Sequence, residues 1–339
     1  MNSESLEALE NYLRDLFSPD NVAVTEVHRL AYGAIQENWR IECTVEPGND
    51  PDRKAYVLRT DAAAKIPTSH NRSLEFDILG IAFAHGCRVP KPVSYCPDPS
   101  VVGKPFFLME FLSGTADARN LTGFNRPIDQ GNALVSKLGT ELAKIHDLSE
   151  ADDLHTLLPR PEQKPAAHAI DTYRSYLDSL PAAAPVLEYA LRWAELNQPE
   201  TQHYVFCHRD FRTGNILIDG DQITGILDWE FANWSDPMED VAWFCAKCWR
   251  FLRPDRSAGG IGNRDAFFSA YEAAAGRHID PLVIDYWEIM AHIRWAIIAR
   301  QQGERFSSDN EPNLEAGLTA YIAPELEFEI LNQIEEYAK

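Results

Sequence analysis

The sequence predicts an α+β protein with two lobes, a small N-terminal antiparallel sheet with one packed helix and a larger, mainly helical lobe. Two stretches of apolar, strand-like sequence lie within residues 22–60, whereas from about residue 128 apolar residues recur with helical spacing. A short β-hairpin pattern interrupts the helical part. A chain of 339 residues is long enough for two such lobes. We place them at residues 1–112 and 113–339.

The N-terminal lobe is predicted from local patterns. Residues 4–17 form an amphipathic helix because four leucines share one face: Leu6, Leu9, Leu13 and Leu16. The next strands are a hairpin in VAVTEVHRLAYGAIQENWRIECTV and a further strand in KAYVLRT. The packed helix is SLEFDILGIAFAHG, which Gly86 ends, and GKPFFLMEFLSG is a last strand closed by Gly114.

The C-terminal lobe begins with a helix whose apolar stripe is formed by Leu134, Leu138, Leu142 and Ile145. Further helical segments follow, separated by breaks that contain proline. The interrupting hairpin consists of ILI, a turn at Asp219-Gly220, and ITGIL. More helices complete the lobe, including PLVIDYWEIMAHIRWAIIARQQ.

Composition and charge exclude several classes of function. The net charge of −21 argues against a nucleic-acid partner, because a groove that follows phosphates needs a basic excess. No apolar run approaches the ~18–20 residues that span a bilayer, and the N-terminus does not resemble a secretory signal, so we predict no membrane association and a cytoplasmic protein. The acidic charge either attracts a cationic small substrate or simply keeps the protein soluble.

Six cysteines are scattered along the chain, and only Cys245 and Cys248 form a C-x-x-C pair. No second cysteine or histidine pair has matching spacing. Because the pair lies in the apolar helical stretch DVAWFCAKCWRFL, we interpret it as two packed side chains rather than as a zinc or redox site.

Three polar residues lie in an otherwise apolar stretch of the helical lobe. Asp210, Asn215 and Asp228 are surrounded by isoleucine, leucine and tryptophan, where a bare carboxylate is costly. Folding ILI back on ITGIL brings Asn215 and Asp228 to the same end of the hairpin, and Asp210 lies on the loop that leads in. Oxygen ligands gathered in this way suit Mg²⁺. Phosphoryl transfer needs such a metal together with a separate carboxylate that orients the attacking hydroxyl.

The same stretch resembles a known family. HRDFRTGN matches the kinase catalytic loop H-x-D-x-x-x-x-N, and ILDWE stands where protein kinases carry D-F-G. With SDPMEDVAW close behind, the sequence resembles the aminoglycoside phosphotransferases and choline-kinase-like small-molecule kinases, whose fold is a bilobal, protein-kinase-like one. The resemblance implies that Asp210 is the catalytic base, that Asn215 and Asp228 bind Mg²⁺ and that His208 orients the loop. Asp240 would anchor that loop from its helix.

The resemblance also implies a nucleotide-binding role for the N-terminal lobe. Gly33, in the hairpin LAYGAIQENWRI, would let the backbone approach phosphate closely. Arg59 takes the place of the usual kinase lysine and can hold phosphate through two donors. Glu75 is the candidate partner of Arg59, and Asp77 is its rival on another helix face.

In the strand LMEFL, the same resemblance implies that backbone groups of Glu110 and Leu112 bind the adenine of ATP. The helical lobe would then carry the catalytic loop and the site of the acceptor.

The acceptor is predicted to be a small hydroxylated molecule. Only seven residues, 229–235, separate Asp228 from Asp236, which leaves no room for the peptide platform of a protein kinase. One C-terminal helix carries polar and aromatic residues that either line the acceptor site or pack in the helical lobe: Asp285, Glu288, His292 and Trp295.

The sequence therefore predicts an ATP- and Mg²⁺-dependent phosphotransferase that acts on the hydroxyl of a small molecule. Two alternatives stay open: a non-catalytic nucleotide-binding protein of the same fold, and a kinase for a metabolite such as choline, a sugar or an amino alcohol rather than an antibiotic. The choice between ATP and GTP and the oligomeric state also stay open.

Overall fold

A computed structural model describes most of the chain, namely residues 3–17, 21–30, 36–46, 52–61, 69–123, 126–200, 202–251, 253–307 and 314–338. The chain divides into two compact units. The first comprises Met1–Gly114 together with Thr224–Phe231, and the second comprises Thr115–Ile223 and Ala232–Lys339. The first is built around an antiparallel sheet and the second is mainly helical, so the predicted α+β class is confirmed.

Within its described residues, the N-terminal part of the first unit contains two helices and five strands. In chain order these are α1 (Ser3–Phe17), β1 (Asn21–Arg29), β2 (Gln36–Glu46), β3 (Asp52–Asp61), α2 (Arg72–Ala84), β4 (Pro92–Cys96) and β5 (Phe106–Glu110). The strands form one sheet in the order β1-β2-β3-β5-β4, and each neighbouring pair is antiparallel.

Successive side chains of β3 point to opposite faces of the sheet, so one residue packs toward α1 and the next toward α2. Leu58 on β3 belongs to the buried cluster that includes Leu9 and Leu13 of α1. The next residue, Arg59, lies on the opposite face because successive side chains of a strand point to opposite sides. Arg59 is paired in register with Phe107, whose ring lies 5.9 Å from the ring of Phe76 on α2. The sequence of β3 thus directs an arginine toward α2.

The described residues of the remaining chain form most of the helices and two pairs of short strands. In chain order these are α3 (Ala118–Leu121), α4 (Ile128–Asp147), α5 (Asp152–Leu157), α6 (Pro165–Asp178), α7 (Pro185–Leu196), β6 (Val205–Cys207), β7 (Ile216–Asp219), β8 (Gln222–Ile226), β9 (Asn233–Ser235), α8 (Pro237–Cys245), α9 (Arg264–Ala275), α10 (Pro281–Ser307), α11 (Leu314–Ala320) and α12 (Ala323–Tyr337). Strand β6 pairs with β9, and β7 pairs with β8 as the predicted hairpin. The division between the units falls within β8.

The helical core is built on close contact between α4 and α9. The predicted apolar stripe of α4 is fully buried: Leu134, Leu138, Leu142 and Ile145. Gly139 permits the contact, because a Cβ atom there would lie only 2.5 Å from the carbonyl oxygen of Phe267 on α9. Across the described ranges, no helix combines the length and the hydropathy that a membrane crossing requires.

Candidate active site

The loop that carries the H-x-D motif lies between β6 and β7 and is held by a buried carboxylate on α8. The oxygens of Asp240 accept the backbone N–H groups of His208 and Arg209, at 2.7 Å each. Arg209 has a φ of 62°, in the left-handed region that non-glycine residues rarely adopt. The two hydrogen bonds to Asp240 stabilise this turn.

Asp240 is itself supported from α4. The Nε2 atom of His146 lies 3.3 Å from Oδ2 of Asp240, and its Nδ1 lies 2.7 Å from the hydroxyl of Tyr271. Burial by itself raises the pKa of Asp240, but the hydrogen bond and charge of His146 and the bonds from the loop outweigh it and lower that pKa below its ordinary value. Asp240 therefore holds the loop as a carboxylate.

Asp210 is the residue that this loop presents, and it is buried and surrounded by donors. Its Oδ1 accepts the indole N–H of Trp243 at 3.0 Å and the Nε–H of Arg212 at 3.0 Å. The side-chain amide of Asn215 donates to Oδ2 of Asp210 at 2.5 Å and to its backbone oxygen at 3.0 Å. The predicted base and one predicted metal ligand are therefore in contact.

The histidine of the motif also belongs to this network. The Nδ1 atom of His208 accepts the backbone N–H of Asp210 at 3.2 Å, and the His208 side chain is fully buried. This bond fixes the peptide that carries the carboxylate, and the role of His208 in orienting the loop stays a prediction.

In the first unit, Arg59 forms buried ion pairs. Its Nε lies 2.9 Å from Oε1 of Glu75, and its Nη2 lies 2.5 Å from Oδ1 of Asp228. Asp77 is exposed on α2, so Glu75 and not Asp77 is the partner of Arg59. Burial alone lowers the pKa of Arg59, but the charges of Glu75, Asp228 and Glu230 outweigh it and raise that pKa above its ordinary value.

Two members of this cluster were missed by the sequence prediction. Arg72, at the start of α2, forms an ion pair with Glu75 and lies 3.0 Å from Asp61. Glu230 accepts the amide N–H of Gln36 at 2.8 Å and the hydroxyl of Ser69. Burial, with Asp228 nearby, raises the pKa of Glu230 to about 8. The D-W-E motif was the only available signal, because nothing in local sequence pairs Glu230 with residues near position 70.

The cluster has an acidic excess that suits a divalent cation. Because its raised pKa keeps Glu230 mostly protonated at neutral pH, the charged carboxylates are those of Asp61, Glu75 and Asp228. They outnumber the guanidinium groups of Arg59 and Arg72 by one. Carboxylate oxygens are the ligands that Mg²⁺ prefers. In the second unit, the amide oxygen of Asn215 has no hydrogen-bond partner in the described part of the chain. Asn215 immediately precedes β7, and Asp228 follows β8.

The other predicted nucleotide contacts are placed only in part. Gly33 lies outside the described residues. Glu110 ends β5, and its N–H donates to the carbonyl of Lys91 at 2.9 Å. Leu112 follows two residues later and is partly buried. Adenine binding by Glu110 and Leu112 stays a prediction.

The cysteines of the C-x-x-C pair are free thiols. Burial raises the pKa of Cys245 and of Cys248, which disfavours the thiolate that zinc binding requires. A second buried group, formed by His146, Cys207 and Asp240, brings its ligand atoms within 4.8 Å of one another. Its members are already engaged in the loop anchor, and Cys207 donates to the backbone oxygen of Asp236.

Of the four candidate acceptor residues on α10, two are buried (Glu288 and His292), Trp295 is partly buried and Asp285 is exposed. Glu288 pairs with Arg264 at 2.7 Å and with Arg250 at 3.7 Å. His292 is fully buried and its Nδ1 bonds the backbone oxygen of Glu288. The ring of Trp295 lies 4.7 Å from that of Trp249, and Asp285 lies one turn before Glu288.

An anchored H-x-D loop on a helical unit and an arginine–glutamate ion pair on a five-stranded sheet are features of the protein-kinase-like fold. A model of the phosphotransferase enzyme family (APH) matches residues 26–281, and the chain belongs to this family. The predicted family is confirmed, and the predicted class of enzyme, a small-molecule kinase, agrees with it.

Two curated relatives illustrate the family. Acyl-CoA dehydrogenase family member 10 of Mus musculus is 25% identical over 312 residues, which cover 88% of this chain but 28% of the relative. A homoserine kinase of Methylocella silvestris is 28% identical over 266 residues, covering 73% of this chain and 77% of the relative. The chain thus spans less than a third of the first relative.

Solved structures share the fold. A Ralstonia eutropha protein described as an aminoglycoside phosphotransferase superposes with a TM-score of 0.74 at 20% identity, covering 97% of this chain and 98% of that one. A spectinomycin phosphotransferase in complex with ADP and spectinomycin gives a TM-score of 0.63 at 13% identity, covering 96% and 98%. At these identities the likeness concerns the fold.

Proposed function

We propose that this protein transfers the γ-phosphoryl group of ATP to the hydroxyl of a small molecule. The observation that carries the proposal is the carboxylate of Asp210, fixed by Trp243, Arg212 and Asn215 on a loop anchored to Asp240. The acceptor oxygen forms a bond to the γ-phosphorus while the bond to the β,γ-bridging oxygen breaks, and its electron pair leaves with ADP. Asp210 receives the proton of the hydroxyl.

The nucleotide would be held by the first unit. Arg59 is kept in place by Glu75 and presents a guanidinium that can bind phosphate oxygens. Gly33 would admit the phosphates, and backbone groups of Glu110 and Leu112 would bind adenine. The ADP of the structurally similar spectinomycin phosphotransferase supports a nucleotide in this role.

Asn215 and Asp228 would hold Mg²⁺. The acidic excess around Asp228 and the unbonded amide oxygen of Asn215 support this assignment. When bound, the ion supplies positive charge that neutralises the phosphates. Arg59 contributes a second positive charge from the protein itself, and its buried ion pairs hold that charge in one position.

A metabolite is favoured over an antibiotic as the acceptor. The names of two curated relatives, a homoserine kinase and an acyl-CoA dehydrogenase family member, both point to metabolism. A purely nucleotide-binding role is disfavoured because the residue proposed as the base is in contact with a proposed metal ligand. A cytoplasmic location and the absence of nucleic-acid and membrane partners stay predictions.

The test is a screen for ADP release with ATP and Mg²⁺ across amino alcohols, polyols, hydroxy acids, hydroxyacyl thioesters and aminoglycosides. With an acceptor found, Asp210→Ala should lower kcat by roughly 100-fold or more, because a general base contributes about that factor. ADP affinity should be unchanged. The control is Asp178→Asn, an exposed residue at the end of α6. Undiminished turnover by Asp210→Ala would remove Asp210 from the role of base.

A further inference from the structure

Arg212 lies beside the proposed base and retains donors that the protein does not use. Its Nε donates to Asp210 at 3.0 Å, and its Nη1 donates to the backbone oxygen of Thr213 at 3.3 Å. Its Nη2 has no partner among the residues that the structure describes. About a quarter of the side chain is exposed. A guanidinium in this state can bind a carboxylate or a phosphate through charge-assisted hydrogen bonds.

The position of Arg212 is fixed by an aromatic surface. Its guanidinium carbon lies 4.6 Å from the centre of the Trp249 ring, which packs against the rings of Trp243 and Trp295. Trp249 is buried, and its indole N–H has no hydrogen-bond partner in the described ranges. A buried donor without a partner is costly, so the tryptophan surface under Arg212 is polar at one point as well as aromatic.

The carboxylates of this region are already paired with arginines. Glu288 pairs with Arg264 and Arg250, and Asp210 pairs with Arg212. A cationic acceptor would have to compete with an arginine for each of them. Asp285 differs, because it forms no ion pair in the described part of the chain. It is therefore the carboxylate that a cationic acceptor could bind without displacing an arginine.

We propose that the acceptor carries an anionic group, either a carboxylate or a phosphate, a few bonds from the hydroxyl that is phosphorylated, and that Arg212 binds this group. The anionic group and the hydroxyl must be a few bonds apart because Arg212 would bind the first, Asp210 would bind the second, and these two side chains are in contact. The inference rests on the proposed role of Asp210. It holds despite the net charge of −21, because local pairing and not net charge decides which ligand is recognised.

Matched acceptors test the inference. 3-Hydroxybutyrate is compared with 3-hydroxybutyramide, glycerol 3-phosphate is compared with glycerol, and choline serves as the cationic acceptor. The wild type should favour one of the anionic members by roughly 10- to 100-fold in kcat/KM, the factor expected of one charged hydrogen bond. Arg212→Gln should bring that ratio close to one, and Arg212→Lys should restore part of it. A purely structural role of Arg212 would lower both members of a pair equally.

Two control variants complete the design. Arg192→Gln, on the exposed face of α7, should leave the ratio unchanged. Asp285→Asn should also leave it unchanged. The inference is overturned if choline or a neutral acceptor is preferred while Arg212→Gln leaves the ratio as it was, and phosphotransfer as such would then still stand.

If no acceptor is phosphorylated, the anion site is tested by binding. Tryptophan fluorescence measures the binding of the same probes in the presence of ADP and Mg²⁺. Saturable binding of 3-hydroxybutyrate or glycerol 3-phosphate that Arg212→Gln abolishes supports the anion site even though the proposed function fails. Equal binding of the two members of each pair, or no binding at all, contradicts it.

Discussion

The carboxylate of Asp240 accepts the backbone N–H of His208 at 2.7 Å, although 32 residues separate the two along the chain. The same carboxylate accepts the N–H of Arg209, so one side chain on α8 fixes two successive peptides of the loop. The position of Asp210 is therefore decided by a residue that is not proposed to touch the substrate.

Removing this anchor should destabilise the protein as well as the site. Asp240→Ala leaves one buried and one partly buried N–H group without an acceptor and should lower the free energy of unfolding by roughly 2–5 kcal/mol. Urea denaturation measures the loss, with the exposed Asp178→Asn as the control. A change below about 0.5 kcal/mol, the range of ordinary surface substitutions, would show that the loop does not depend on Asp240.

Arg59 should contribute to the stability of the first unit. Arg59→Leu leaves the buried Glu75 without its arginine on β3 and Asp228 without its close partner, and we expect a loss of about 3–5 kcal/mol in the free energy of unfolding. The matched control is Arg192→Leu, whose side chain is 66% exposed and should cost less than about 0.5 kcal/mol. Equal effects of the two substitutions would refute the buried ion-pair cluster.

Two glycines within helices should respond to alanine in opposite directions. Gly80→Ala in α2 places a Cβ atom 4.0 Å from Pro92 and should stabilise the protein by about 0.5–1 kcal/mol through helix propensity. Gly139→Ala places it 2.5 Å from the carbonyl oxygen of Phe267 and should destabilise the protein by about 1–3 kcal/mol. Thermal unfolding of the two variants measures both signs. Stabilisation by both would mean that α4 and α9 are not in close contact.

His292 should make the stability fall in mild acid. Burial lowers its pKa to about 4, below the ordinary value of 6.5, so the unfolded chain binds a proton that the folded chain does not. The resulting loss begins as the pH falls below about 6.5 and reaches about 3 kcal/mol near pH 4. Glu288, whose pKa burial raises to about 7, changes the stability in the opposite direction, so the variants must be compared by difference.

The measurement is urea unfolding of the wild type and His292→Gln between pH 7 and pH 4. The difference in unfolding free energy between the two proteins should change over this range. His278→Gln is the control, because His278 is 84% exposed. A constant difference between the wild type and His292→Gln would show that His292 does not stay neutral in the folded protein.

Individual residues show how far the sequence could predict the site. HRDFRTGN and DWE led to the prediction of Asp210, Asn215 and Asp228 as site residues, because these residues lie in one short stretch with fixed spacing. The choice between Glu75 and Asp77 was left open by the sequence and was decided by the direction in which β3 points Arg59. Glu230 was missed because its partners are distant in the chain, and Arg72 was missed although one of its partners, Glu75, is only three residues away.

The sequence by itself determined the first three strands, the helices α1, α2 and α4 and the catalytic-loop motif, since each of these depends on neighbouring residues and on a period of two or of 3.6. It did not indicate the short strands β4, β6 and β9. Only the tertiary structure decided which charges are paired. The free energy of a buried charge depends on the atoms within a few ångströms of it. In this protein many of those atoms belong to α2, α8 and α10 and not to residues next to the charge in the sequence. For that reason the net charge of −21 did not reveal an arginine with free donors beside the proposed base.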